Sequence, residues 1–193
     1  PTVYKVSKGE TILIHAAAGG VGTILCQWAS HIGATVIGTV GSPGKARLAK
    51  AHGCDYPIIY SRENFVDRVR KITKGEMLPV VFDSIGNATW PASLDCLQQR
   101  GLFVTFGNAS GPIPPIDPLV LSSKGSLVMT RPTLFHFADT PERMRKMASD
   151  VIKVIKSGAV KIEVNHKYSL REAARAHRDL AARKTTGSII LEP

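Results

Sequence analysis

The residues Ala17-Ala18-Gly19-Gly20-Val21-Gly22 are the part of this 193-residue chain whose types and spacing point most directly to chemistry. They follow a short β-branched run (11–15, TILIH). They open a stretch in which Val21, Leu25, Trp28 and Ile32 recur at helical spacing. A glycine turn between a strand and a helix is the context of a dinucleotide site. Gly19 lets the backbone approach a pyrophosphate, and Gly22 lets the helix pack closely on the strand. The helix N-terminus offers Gly20, Val21 and their neighbours as unpaired N–H donors at the positive end of its dipole. Ala17 stands where the G-x-G-x-x-G pattern has its first glycine, so the match is a variant. The same residues could also serve packing alone.

The end of the second strand decides between dinucleotides. A site for NAD places Asp or Glu about 20 residues beyond the glycines, bonded to the ribose 2′-hydroxyl. Here that region reads Val40-Gly41-Ser42-Pro43-Gly44-Lys45, without an acid and with Arg47 close behind. Gly41, Ser42 and Lys45 offer backbone N–H groups, a hydroxyl and a cation. These suit a 2′-phosphate, which a carboxylate would repel, so the expected cofactor is NADPH. A solvated helix lysine is the plainer reading of Lys45.

The elements that must hold these residues appear as two alternating hydrophobic periods. Strands are expected at 11–15, 35–40, 57–60, 79–83 and 101–107, with helices at 21–32, 45–52, 65–72 and 88–98 between them. Repeated β-α units with short connections predict a parallel sheet covered on both faces, and the right-handed crossover then gives a doubly wound (Rossmann) α/β fold. A (β/α)8 barrel needs about 250 residues and is excluded by length. Residues 108–118 hold four prolines and Gly111 and read as a loop. A strand at 126–130 could form a sheet edge. Thr140 followed by Pro141 caps a helix whose stripe of Met144, Met147, Ala148, Val151, Ile152 and Ile155 runs to Gly158. A strand at 162–168, a helix at 170–182 with Ser169 and Glu172 as a capping box, and a strand at 187–191 complete the chain.

Composition bounds the remaining possibilities. With 44% hydrophobic and 21% charged residues the chain is an ordinary globular protein and not a disordered one. No apolar run approaches the ~18 residues of a membrane span, and no secretory signal is present. Cys26, Cys54 and Cys96 are an odd, widely spaced set, which points to reduced, buried thiols and a cytoplasmic protein. The net charge of +10 favours anionic partners, and most of the excess follows residue 100. The six histidines form no H-E-x-x-H, so no metal ligand set is expected.

HAAAGGVG (15–22), GTVGSPGKA (38–46), VFDSIG (81–86), SLDCLQQRG (93–101), FGNASG (106–111), KGSL with TRP (124–132) and AHRDLAARKTTGSIIL (176–191) resemble bacterial NADPH:quinone oxidoreductases. These form the zeta-crystallin-like, zinc-free branch of the medium-chain dehydrogenase/reductases, and the resemblance runs the whole length of the chain. It implies hydride transfer from NADPH to a quinone without a metal. It also implies cofactor contacts from Gly20 and Val21 to the pyrophosphate and from Gly41 and Lys45 to the 2′-phosphate. Tyr60 is expected beside the adenosine phosphate, and Arg183 is expected to reach the cofactor. Ser84 is expected at the cofactor after the fourth strand, and Phe106, Gly107 and Asn108 after the fifth, toward the nicotinamide. Tyr60, Ser84 and Asn108 also follow from fold logic, since ligands lie beyond the carboxyl ends of parallel strands.

Family members carry a GroES-like catalytic domain built mainly from sequence ahead of the nucleotide-binding part. Here only ten residues precede the first strand, so Pro1 reads as a truncation point. Residues 1–130 are then the NADPH-binding domain, and 131–193 a return segment contributing to the catalytic domain. The family habit and the strand at 126–130 suggest a homodimer. No catalytic residue stands out. Arg171, Arg175 and Arg178 on one helix face could form a nucleic-acid patch, but no aromatics interleave them, so a solvated face is the simpler reading. Alternatives to the quinone reductase are a cofactor- or RNA-binding module without turnover and an enoyl reductase of the same superfamily.

Overall fold

The computed structural model describes residues 3–193; Pro1, the expected truncation point, lies outside the described residues with Thr2. Six parallel strands form one sheet in the order β3-β2-β1-β4-β5-β6. They are β1 (Thr11–Ile14), β2 (Thr35–Val40), β3 (Tyr56–Ile59), β4 (Leu78–Asp83), β5 (Leu97–Thr105) and β6 (Val128–Thr130). The order reverses between β1 and β4, which makes that boundary the switch point of a doubly wound sheet, as the sequence pattern requires.

Both faces of the sheet are buried, and strand alternation divides the core in two. Ile12, Ile14, Val36, Val80 and Val104 pack against α1 (Gly20–Ile32) and α2 (Pro43–Ala51). Leu13, Ile37, Val81 and Phe103 pack against α3 (Phe65–Ile72) and α4 (Trp90–Leu94). Phe103 and Trp90 meet with ring centroids 5.7 Å apart.

Two local features differ most from expectation. The helix expected at 88–98 ends at Leu94, because Leu97 pairs with Leu78 of β4 and Leu78 N–H donates to Cys96 O at 3.0 Å. Tertiary pairing there overrides the helical preference of Cys96 to Gln99. The expected capping box at Ser169 and Glu172 does not form. Ser169 Oγ accepts from Arg171 N–H and opens a 3-10 turn (Leu170–Glu172), while Glu172 is held by Arg175 at 2.8 Å.

After the proline-rich loop come two short helices the periodicity does not show, α5 (Leu119–Ser123) and α6 (Leu134–Phe137). The long α7 (Pro141–Lys156) follows, with Thr140 Oγ1 accepting from Arg143 N–H. α7 buries none of its residues, and Met144, Val151 and Ile152 of its apolar stripe are exposed. A second, two-stranded parallel sheet joins β7 (Val164–Ser169) to β8 (Ser188–Glu192) through α8 (Ala173–Ala181). This small sheet is tied back to the first β-α turn. Gly187 N–H donates to Ala18 O at 3.0 Å, and Gln27 of α1 exchanges two hydrogen bonds with the backbone of Lys161.

Candidate nucleotide site at the switch point

The turn between β1 and α1 is set by contacts that leave no room for side chains. Ala16 adopts a left-handed backbone (φ 53°), and Gly19 N–H donates to its carbonyl at 2.9 Å. A Cβ on Gly22 would collide with that same carbonyl oxygen and stand 2.9 Å from Ala17 Cα, so only glycine allows α1 this close to the strand. Gly19 is the N-cap and supplies no side-chain cap, and the first turn of α1 holds no acid. The donors of Gly20, Val21 and Gly22 therefore have no intrahelical partner and face the crevice end of the helix, an arrangement suited to an anion. Val21 is exposed beside them.

At the ends of β2 and β3 the structure brings together four residues from three separate stretches of the sequence. Gly41 lies against Tyr60, whose Oη would be 2.8 Å from a Cβ at Gly41. Lys45 Nζ donates to Arg183 O at 2.7 Å, and Arg183 Nη1 lies 3.5 Å from Tyr60 Oη. Neither cation has an acidic partner within 4 Å among the described residues. Partial burial, and then the Arg183 charge, push the Lys45 ammonium below its usual pKa. Two adjacent cations without a counter-charge are suited to an anion. Ser42 stands next to them but is engaged as the N-cap of α2, its Oγ accepting from Lys45 N–H at 3.4 Å.

The turns after β4 and β5 meet backbone to backbone at the other end of the crevice. A Cβ on Gly107 would strike the carbonyl of Ser84, and Ala109 N–H donates to that carbonyl at 3.2 Å. Phe106 N–H donates to Asp83 O at 2.8 Å, and the Phe106 ring packs on the first half of the core. Asn108 is exposed at the tip.

Sequence reasoning missed the groups that fix these turns. Buried Asp83 accepts from the N–H groups of Ile85 and Gly86 and from Thr89 Oγ1, at 2.6 to 3.0 Å. Thr89 O accepts from Ser93 Oγ, so that hydroxyl receives the Nε2 proton of His15 at 2.9 Å. His15 Nδ1 then accepts from Thr39 Oγ1 at 2.8 Å. Burial lowers the His15 pKa to about 4, with the Asp83 charge opposing the shift, so the ring is neutral. This chain of bonds locks β1, β2, β4 and α4 around the switch point. Arg131, at the carboxyl end of β6, was also passed over. The strand-end rule that singles out Tyr60, Ser84 and Asn108 would have found it.

The cysteines and the arginine face of α8 lie apart from the crevice. All three cysteines are free and buried, with burial pushing the Cys96 thiol up to about 12. Arg175 is held by Glu172 and Asp179 and stacks 5.8 Å over Tyr168. No helix among the described residues is long and apolar enough to cross a membrane.

Residues 20–153 match the family model described as zinc-binding dehydrogenase. The chain belongs to that family. Its relatives include a quinone oxidoreductase of Pseudomonas aeruginosa, 55% identical over 98% of this chain and 58% of that protein. A 2-haloacrylate reductase of Burkholderia is 44% identical over 98% of this chain and 57% of the relative. The solved Escherichia coli quinone oxidoreductase complexed with NADPH superimposes with a TM-score of 0.96 at 45% identity, covering 98% of this chain and 59% of that one. The resemblance drawn from the motifs is thereby borne out, and the chain spans somewhat over half the length of these relatives. Among the described residues no three His, Cys, Asp or Glu side chains converge as metal ligands. They do not fit the zinc in the family's description.

Proposed function

We propose that this chain holds NADPH and presents it for hydride transfer to a quinone. The observation that carries the reading is the convergence of Lys45 and Arg183 beside Gly41 and Tyr60, without an acid, at the position where an NAD site would need a carboxylate. Lys45 and Arg183 would bind the 2′-phosphate, with Tyr60 beside the adenosine. The N–H groups of Gly20, Val21 and Gly22 would take the pyrophosphate, with Gly19 shaping the turn. Ser84, Phe106, Gly107 and Asn108 would border the nicotinamide. When bound, NADPH supplies the hydride, and the protein contributes position and electrostatics.

The organisation proposed with this activity divides the chain at residue 130, into the sheet that binds the cofactor and a segment that contributes to the acceptor side. The open edge at β6, where Val128 is exposed, supports pairing with a second copy, and the reduced thiols support a cytoplasmic protein.

The test is a pair of titrations followed by cofactor fluorescence. Lys45→Asp weakens NADPH on the order of a hundredfold, through a lost charge-assisted contact and a new repulsion, and leaves NADH within a few-fold of the parent. Equal losses for the two dinucleotides would falsify the assignment of the 2′-phosphate site.

A further inference from the structure

We propose that Arg131 binds the hydride acceptor, holding its carbonyl oxygen and stabilising the negative charge that hydride addition places there. The proposal rests on the reductase reading above and names the class of acceptor: a flat conjugated carbonyl compound whose oxygen becomes anionic on reduction.

Three observations point to this role. The first is position. β6 pairs with β5 in the register Val104 to Thr130, so Arg131 leaves the sheet beside Thr105, at the end of the crevice where Gly107 and Asn108 turn back. The second is anchoring. Arg131 Nη1 donates to Gly107 O at 3.2 Å and to Thr105 Oγ1 at 3.4 Å, and Thr105 is buried. A guanidinium carries five N–H donors, and these contacts use one nitrogen. Nη2 and Nε have no protein acceptor among the described residues, and no carboxylate lies within 4 Å. The third is the space it borders. A cleft of ≈ 460 Å³ is walled by Pro112, Ile113, Ile116 and Met129, with Thr105, Asn108 and Arg131 as its polar members. An apolar slot with one fixed cation takes a planar apolar body bearing an oxygen at one end.

The chemistry follows from charge. The acceptor gains a hydride, which is one proton and two electrons. The displaced electron pair of the conjugated system moves onto the carbonyl oxygen, and the cofactor leaves oxidised. Solvent then protonates the oxyanion. An arginine does not give up a proton near neutral pH, so Arg131 acts as a fixed positive charge and not as an acid.

The test uses the 193-residue chain with benzoate, whose carboxylate stands in for the oxyanion on a flat ring, against neutral benzamide. Binding is followed by NMR. Benzoate is expected to shift the amides of Gly107 and Asn108 and the Nε–H of Arg131, and to bind on the order of tenfold tighter than benzamide. Arg131→Gln reduces benzoate to the benzamide level. Arg131→Lys keeps part of the preference, since it retains the charge without the fork. Parent-like melting temperatures for both variants show that the fold is retained. Equal binding of the two probes to the parent, benzoate shifts centred on Lys45, or an undiminished preference in Arg131→Gln would each overturn the proposal. A parallel NADPH titration separates the two readings. Arg131→Gln is expected to bind NADPH within twofold of the parent, and a larger loss would place Arg131 in the cofactor site instead. A parent chain that binds benzoate at Arg131 but not NADPH would overturn the reductase reading on its own.

Discussion

The six-stranded sheet and the segment after it carry comparable apolar sequence and dispose of it in opposite ways. The buried apolar side chains run from Ile12 to Leu127, and beyond them the only buried apolar ones among the described residues are Val160 and Ala176. α7 has as regular an apolar stripe as α1, yet α1 buries Cys26 and Ala29 while α7 buries nothing. Helical spacing therefore reports which face is apolar; whether that face is covered depends on what the rest of the chain places against it. The sheet completes its own core, and the stability of the protein resides there.

That contrast can be broken by substitution and by acid. Phe103 is fully buried against Trp90, and Phe103→Ala should cost about 3–5 kcal/mol, read as a lower urea midpoint at unchanged slope. A loss under about 1 kcal/mol would show that the sheet core is looser than its burial indicates. The next effect is one of pH. His15 is neutral in the fold with a pKa near 4, whereas an unfolded histidine takes a proton below about pH 6.5. The unfolded chain then binds more protons, so stability falls as pH drops from about 6.5 to 4, by up to about 3 kcal/mol. His15→Gln should flatten that part of the stability-against-pH curve, and an unchanged slope would remove His15 from the account. The smallest effect belongs to the segment. Phe135 on α6 is 75% exposed, so Phe135→Ala should leave stability within about 0.5 kcal/mol of the parent in the same melts. A loss approaching that of Phe103→Ala would mean that α6 has a buried contact in solution.

The parallel order of strands and the cationic corner at Lys45 were legible in the sequence for a physical reason. Strands buried on both faces read as continuous β-branched runs, and a missing acid at the end of the second strand is visible without coordinates. That Arg183 reaches the cofactor was legible only through family resemblance, and its convergence with Lys45 was not legible, because 138 residues separate them and no local pattern marks the pairing. The His15 to Asp83 network was not legible at all. Its members, His15, Thr89, Ser93 and Asp83, are ordinary polar residues until the sheet and α4 bring them together. The short span of α4 escaped for a related reason, since the pairing of Leu97 with Leu78 outweighs a locally helical sequence.

The hydrogen bond from Lys45 Nζ to the carbonyl of Arg183 has a consequence for motion. Arg183 belongs to the strap between α8 and β8, and four residues further on Gly187 is bonded to the first glycine turn. An anion clasped by Lys45 and Arg183 would fasten the strap at two points and restrain its local opening. Amide hydrogens in β7 and β8 would then exchange more slowly in the bound protein, although no residue of that small sheet need touch the ligand. Protection from exchange far from the phosphate corner would thus measure its occupancy.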